Sequence, residues 1–195
     1  MNLKVEGDVN DYLGKGMNGG RIVVKPPKSL EKNLNNIVAG NTAIYGATGG
    51  NLFVSGGVGE RFAVRNSGAT AVIEGAGDHC CEYMTGGQVV ILGEVGANFG
   101  AGMTGGFSYV LDEKRSFFDK CNRELINLDR VLSETMDPHR QNLKLLIEEH
   151  YKNTKSLKAK EILEDFERYL PNFWLVSPVA LSVNDLLKAT TASAA

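Results

Sequence analysis

Glycine recurs in this sequence at a nearly constant spacing of 18 or 19 residues. Three sets of positions share the spacing: Gly49, Gly68, Gly86 and Gly105; Gly40, Gly59, Gly77 and Gly96; and Gly56, Gly75 and Gly93, followed by Asp112. Each member of the first set is followed by a short apolar stretch, such as residues 52–54 and 89–91. A period of this length indicates a stacked repeat rather than a two-layer sandwich.

The repeat predicts a mainly β protein, a single-stranded right-handed parallel β-helix with coils of about 18–19 residues. Each coil would have three sides of about six residues, because glycine accepts positive φ and lets the chain turn sharply at a corner. Coils stacked about 4.8 Å apart pair each strand with its equivalent in the next coil. An earlier strand at residues 22–24 fits this frame if a polar, proline-containing surface loop is inserted near residues 25–36.

The distribution of glycine divides the chain into two regions, because residues 114–195 contain none. We predict a β-helix over residues 1–113 and a helical tail over residues 114–195 that packs on or caps the solenoid. Asp137 is predicted to be the N-cap of one tail helix, with Pro138 at its first position. Ser156 and Ser182 are predicted to cap two further helices. The apolar stretch 173–176 is predicted to be buried.

Charge and cysteine content exclude several classes of protein. The 21 basic and 23 acidic side chains nearly balance, which argues against a nucleic-acid partner. No apolar run is long enough to predict a membrane span, and the first residues lack the pattern of a signal peptide. Cys80, Cys81 and Cys121 form no disulfide framework. We therefore predict a cytoplasmic protein with reduced thiols and no membrane association.

A dinucleotide-type G-x-G-x-x-G pattern occurs at residues 14–19 and again, in the same repeat register, at residues 100–105. In dinucleotide-binding proteins the pattern links a strand to a helix, whereas here a strand follows residue 19. A pattern that recurs from coil to coil is typical of a corner. The sequence therefore predicts no nucleotide site here.

Residues 78–82, with the sequence DHCCE, group side chains that bind metals. Neighbours on a strand point to opposite faces, and no second cluster with metal-ligand spacing exists. Cys81 falls in an apolar position of the repeat with Ile44 and Ala63, which predicts a buried thiol.

The other histidine and charged side chains that could take part in chemistry are predicted to have structural or solvent-exposed roles. His139 and His150, in the tail, are predicted to cap helices or lie at the surface. The charged residues near coil corners, which are predicted to be solvated or to lie in an interface, are Glu60, Arg61 and Arg65. We accordingly nominate no catalytic, cofactor-binding or metal-binding residue.

Several stretches of the repeat resemble one family closely. They are residues 14–17 (GKGM), 45–50 (YGATGG), 59–68 (GERFAVRNSG), 81–87 (CEYMTGG) and 98–106 (NFGAGMTGG). Together they resemble the C-terminal domain of the glutamate synthase large subunit, which is named for its G-x-G-x-G repeats. The similarity continues into the tail at residues 161–163 and 176–178, so it covers nearly the whole chain.

The resemblance implies a role in converting glutamine and 2-oxoglutarate into two glutamates with electrons from NADPH, NADH or ferredoxin. In that family a glutaminase domain and a barrel domain that holds FMN and an iron–sulfur cluster carry out the chemistry. The β-helix is regarded as structural and braces them. The resemblance therefore implies a chain that is inactive alone, holds no cofactor, and is either a separate subunit or an excised domain.

Three alternatives stay open from the sequence. The same repeat occurs in a subunit of formylmethanofuran dehydrogenase, although the stretches around Arg61 and Tyr83 and the helical tail favour glutamate synthase. A second alternative is a solenoid that binds a glycan or another small ligand, as pectate-lyase-like β-helices do. Its corners, mostly glycine, alanine and threonine, argue against this reading. A third is a homo-oligomer built through exposed coil faces, which is compatible with a role in glutamate synthase.

Overall fold

A computed structural model describes residues 1–27 and 36–192 of the chain. The strands in this part are β1 (Asn2–Glu6), β2 (Asn18–Lys25), β3 (Ile37–Ala39), β4 (Gly49–Val54), β5 (Gly57–Val58), β6 (Ser67–Ile73), β7 (Gly75–Ala76), β8 (Thr85–Ile91), β9 (Gly105–Leu111), β10 (Ile126–Arg130) and β11 (Phe173–Pro178). The α-helices are α1 (Phe117–Lys120), α2 (Asp137–Thr154), α3 (Leu157–Glu164), α4 (Phe166–Tyr169) and α5 (Val183–Ala192). None of the helices in these residues is long and apolar enough to span a bilayer.

One wall of the molecule is a sheet whose strands come from successive coils. Its parallel part has the order β1-β2-β4-β6-β8-β9. The residues that pair from strand to strand are Ile22, Leu52, Ala71, Val89 and Ser108. From Leu52 to Ser108 this column has the spacing that the glycine repeat predicts, and the step from Ile22 to Leu52 is longer because of the inserted segment, so the parallel β-solenoid of about five turns is confirmed.

Each coil has two further sides. A second, smaller sheet with the order β3-β5-β7 is also parallel. The third side is formed by five segments that are not strands, which we call the motif segments: residues 12–16, 42–46, 61–65, 79–83 and 98–102. The coils that contain β3, β5 and β7 therefore have a long strand, a short strand and a motif segment.

The first sheet is buried on both faces, which explains why its strands contain unbroken apolar triplets. In β4, Leu52 and Val54 contact the core inside the solenoid. Phe53, between them, contacts a second core that the sheet shares with the tail. The tail is therefore part of the same folded unit, because half of the sheet's apolar side chains would be exposed without it.

The tail closes the solenoid at its last coil by extending the first sheet. Strand β11 pairs antiparallel with β9, and β10 pairs antiparallel with β11. Burial of residues 173–176 is largely confirmed: Trp174 alone among them is only partly buried. The strand itself and its partner β10 were not foreseen, because both are short and gain their strand character by pairing with the exposed edge of β9.

Asp112 marks the point where the solenoid ends and the tail begins. It follows the glycine column of Gly75 and Gly93, and its side chain is buried. Its Oδ1 accepts hydrogen bonds from the backbone N–H groups of Ser116 and Phe117, and its Oδ2 accepts one from the Trp174 indole. One carboxylate thereby joins the last coil to both α1 and β11.

The predicted helix starts are partly confirmed. Ser156 caps α3 by accepting a hydrogen bond from the Ala159 N–H at 3.0 Å. Ser182 immediately precedes α5, as predicted. The prediction for Asp137 is wrong: Asp137 is already the first residue of α2, and Met136 precedes it at the end of a 3₁₀ turn. Most of the predicted loop near residues 25–36 lies outside the described residues.

Candidate interaction surface

The motif segments share an unusual backbone in which every second residue has positive φ. The first, third and fifth residues of all five segments do so, at angles between +50° and +70°. Glycine occupies two of these positions in residues 12–16 and in residues 98–102. A G-x-G spacing on this side is therefore the sequence signature of the left-handed conformation at alternate residues. Residues 14–19, which were predicted to form a coil corner, run from the end of this side into β2, so a strand follows the G-x-G-x-x-G pattern as expected.

Backbone hydrogen bonds between coils stabilise this conformation. The Thr42 and Gly46 N–H groups donate to carbonyls of the following coil, at 2.7 and 2.9 Å, and the Ile44 N–H donates to Leu13 of the preceding coil at 2.7 Å. The same alternation repeats in the next segments. Because these polar groups are paired, the third side keeps its shape even where non-glycine residues take positive φ at a cost of roughly 1–2 kcal/mol each.

Alternating φ also changes the direction of the side chains. In residues 61–65 the second and third side chains, Phe62 and Ala63, are buried, whereas Arg61 and Arg65 are exposed. The expectation that neighbouring residues point to opposite faces is therefore wrong for this side. It assumed strand geometry, which the motif segments lack.

Cys80 and Cys81 illustrate the difference, because both are buried and their sulfurs lie 3.7 Å apart. The predicted burial of Cys81 in a position shared with Ile44 and Ala63 is confirmed. Burial raises the pKa of the Cys80 thiol and raises the pKa of Cys121 to about 12. These two thiols are therefore protonated at neutral pH and unsuited to nucleophilic chemistry.

The remaining side chains of the DHCCE stretch form local contacts. His79 Nδ1 lies 2.7 Å from Glu82 Oε1, and Asp78 Oδ1 accepts a hydrogen bond from the Ala97 N–H at 2.7 Å. Within residues 1–27 and 36–192, no three or more His, Cys, Asp or Glu side chains converge as metal ligands would.

The prediction that His139 and His150 cap helices or lie at the surface is wrong. Both are buried between the tail and the first sheet, where they bind groups on other elements. His150 Nε2 lies 3.0 Å from Glu74 Oε1, a carboxylate that is itself buried. Apolar periodicity could not reveal these roles, because the partner of His150 lies 76 residues away.

His139 lies within a hydrogen-bond chain that joins three elements. Its Nε2 lies 3.0 Å from the Val183 carbonyl at the start of α5, so this nitrogen must be the donor. In the neutral ring Nδ1 is then the acceptor, and the Tyr109 hydroxyl donates a hydrogen bond to it with an O···N distance of 2.7 Å. Asn142 in turn donates to the Tyr109 oxygen. The chain fixes the position of α5 on β9 and α2.

Acidification is expected to weaken this docking. Burial lowers the pKa of His139 below its ordinary value, so the folded protein favours the neutral ring. Below about pH 6.5 the unfolded chain binds a proton that the folded chain does not, and the His139 contribution to the unfolding free energy then falls as pH falls. An NMR titration of the imidazole is expected to give a pKa under 6.5, and a higher value would contradict the assignment.

The outward residues of the motif segments form the most distinctive exposed surface. Arg61, Arg65 and Tyr83, which we call the arginine–tyrosine patch, lie in two neighbouring coils. The backbone joins the coils there through the Arg65 N–H and the Glu82 carbonyl, at 2.9 Å. Sequence reasoning placed both arginines and Glu60 at exposed corners, which is confirmed. It did not include Tyr83, although Tyr83 lies 18 residues after Arg65, which is one repeat period, and therefore occupies the equivalent position of the next coil.

An open cleft of about 770 Å³ runs along the second sheet. Gly57, Gly75 and Gly93 are among the residues that line it. The charged side chains at its margin include Lys158, which is paired with Glu113 at 2.7 Å. Glu60, Glu94 and Lys114 also line it.

Comparison with known proteins gives a consistent match along the chain. The model of the GXGXG motif family matches residues 1–179. The chain is 54% identical, over 91% of its length, to ferredoxin-dependent glutamate synthase from Pyropia yezoensis. It is likewise 54% identical over 91% to ferredoxin-dependent glutamate synthase 2 from Synechocystis sp.. With an NADH glutamate synthase from Schizosaccharomyces pombe, the identity is 50% over 90% of the chain.

The matching region is a small part of each of these relatives. The chain spans 11% of the length of the Pyropia and Synechocystis enzymes and 8% of the Schizosaccharomyces enzyme. The similarity thus concerns one domain of a much larger protein.

Proposed function

Because the chain belongs to the GXGXG motif family, we propose that it is the β-solenoid domain or subunit of a glutamate synthase and that its role is structural. The observation that carries the proposal is the match over residues 1–179, which includes all five motif segments. Those segments contribute a rigid wall of paired backbone. A wall of this kind suits a part that holds other domains in position.

The side chains of this chain support a structural role. Cys80 and Cys81 are buried, His139 and His150 bind other elements of the same chain, and His79 is paired with Glu82. In this arrangement, these cysteine and histidine side chains serve contacts that hold the fold together.

The family also supports a proposal for the reaction and the partners. We assign this chain to an enzyme that converts glutamine and 2-oxoglutarate into glutamate, with a glutaminase domain and an FMN-binding synthase domain as its partners. Flavin and the iron–sulfur cluster then belong to those partners. The proposed location is the cytoplasm, although the spinach relative is named a chloroplastic enzyme.

Complementation in trans tests this function. A glutamate synthase from the same source, lacking the region equivalent to residues 1–195, is expected to make little glutamate from glutamine and 2-oxoglutarate. Adding the purified chain is expected to restore synthesis through a stable complex. Full activity of the truncated enzyme without the chain would contradict the proposal.

A further inference from the structure

Two positions of the third side carry large side chains where other coils have glycine. The fifth residue of the motif segments is glycine in three coils, at Gly16, Gly46 and Gly102. In the other two coils it is Arg65 and Tyr83, with φ of +56° and +52°. A side chain at such a φ is unfavourable, so the backbone conformation does not explain why these two residues are not glycine.

The two guanidinium groups of the patch have no partner among the described residues. Arg61 and Arg65 are exposed, and among the described residues neither guanidinium has an ion-pair, hydrogen-bond or aromatic partner. Tyr83 is 55% exposed. Its ring packs closely on Gly102 of the next coil, since a Cβ at that glycine would approach two ring carbons to 2.5 Å. An aromatic ring in contact with the following coil therefore lies one coil away from the two unpaired arginines.

These groups indicate the chemistry of a partner. Guanidinium groups bind carboxylates through paired hydrogen bonds, and arginine and tyrosine are enriched at the centres of protein interfaces. Glu60 and Glu82 lie beside the patch and would repel an extended polyanion such as a nucleic acid. Individual carboxylates on a folded protein surface fit better, because they can pair with the arginines and avoid both glutamates.

We propose that Arg61, Arg65 and Tyr83 form the docking patch that holds a carboxylate-bearing surface of the rest of the synthase polypeptide. The proposal rests on the function proposed above and specifies which side of the solenoid faces the partner. The two arginines supply the charge that the partner recognises. The tyrosine ring supplies apolar contact area that is already fixed in place before binding.

The test uses replacements that the fold itself accepts. Arg65→Gly gives this position the residue found in three other coils, and Arg61→Asn gives the first position the residue found at Asn98, which has φ of +58°. The double variant R61N/R65G is therefore expected to fold at least as stably as the wild type. In complementation of the truncated synthase, its half-saturating concentration is expected to rise at least about tenfold, with the rate at saturation unchanged.

Arg115 provides a matched control. It is also an exposed arginine with positive φ, +56°, but it lies outside the motif segments. Arg115→Asn is expected to leave the half-saturating concentration within about twofold of the wild-type value. The docking role of the patch is contradicted if both variants raise the half-saturating concentration equally, or if neither variant raises it. If the wild-type chain fails to bind the truncated synthase, the proposed function itself fails, which is a different result.

Discussion

Replacing Gly105 with alanine is expected to lower the free energy of unfolding by about 3 kcal/mol. A Cβ at this position would lie 2.0 Å from the backbone oxygen of Thr85 in the preceding coil. The contact is with backbone, and that strand is paired on its other side, so it cannot move away cheaply. Urea unfolding monitored by circular dichroism would measure the change.

Gly57→Ala is the control for this variant. Gly57 is also a strand glycine, but a Cβ there would come no nearer than 3.5 Å to the backbone oxygen of Asn36, which is an ordinary contact. Its replacement is expected to change the unfolding free energy by less than about 0.5 kcal/mol. If alanine at Gly105 were equally harmless, close approach between coils would not be the reason for the glycine column.

Replacing Glu74 with alanine is expected to cost roughly 3 kcal/mol of unfolding free energy. Glu74 is the polar contact through which the solenoid binds His150, and both side chains are almost wholly buried. Among the described residues His150 Nδ1 has no hydrogen-bond partner, so the variant would leave both nitrogens of a buried ring without a protein partner. Unfolding by urea measures the loss, and hydrogen exchange would show increased opening of α2.

The exposed pair Lys160–Glu164 serves as the comparison. Its atoms lie 3.5 Å apart and both side chains are more than half exposed. Glu164→Ala is expected to cost less than about 1 kcal/mol, as exposed helical pairs do. A loss at Glu74 no larger than the loss at Glu164 would mean that the buried pair does not hold the tail on the solenoid.

Most of the fold could be predicted from the period of the glycines. Equivalent residues such as Leu52, Ala71 and Val89 recur at the same place in each coil, so one pattern specified strand, register and stacking together. The cap residues located the starts of α2 and α3 in the tail to within one residue, because capping is a local signal. These features depend on local pattern, which a single sequence displays.

Long-range pairing was the part that the sequence did not reveal. Glu74, the partner of His150, lies between β6 and β7, and Asp112, the partner of Trp174, follows β9. Strand β10 pairs with β11, which is more than 40 residues away. The alternating φ of the third side was also missed, since residues 79–83 carry no glycine to signal it. The arginine–tyrosine patch became visible only when that backbone showed which side chains point outward.

Saturation kinetics of the reconstituted synthase test the structural role most directly. His79, Cys81 and Glu82 belong to the stretch of this chain that most resembles a chemical site, and each would be replaced singly, as His79→Asn, Cys81→Ala and Glu82→Gln. Increasing amounts of each variant would be added to the truncated enzyme. The account predicts the wild-type rate at saturation for every variant, with only the half-saturating concentration changed. A saturating rate that falls at least about tenfold for any correctly folded variant would show that this chain takes part in catalysis.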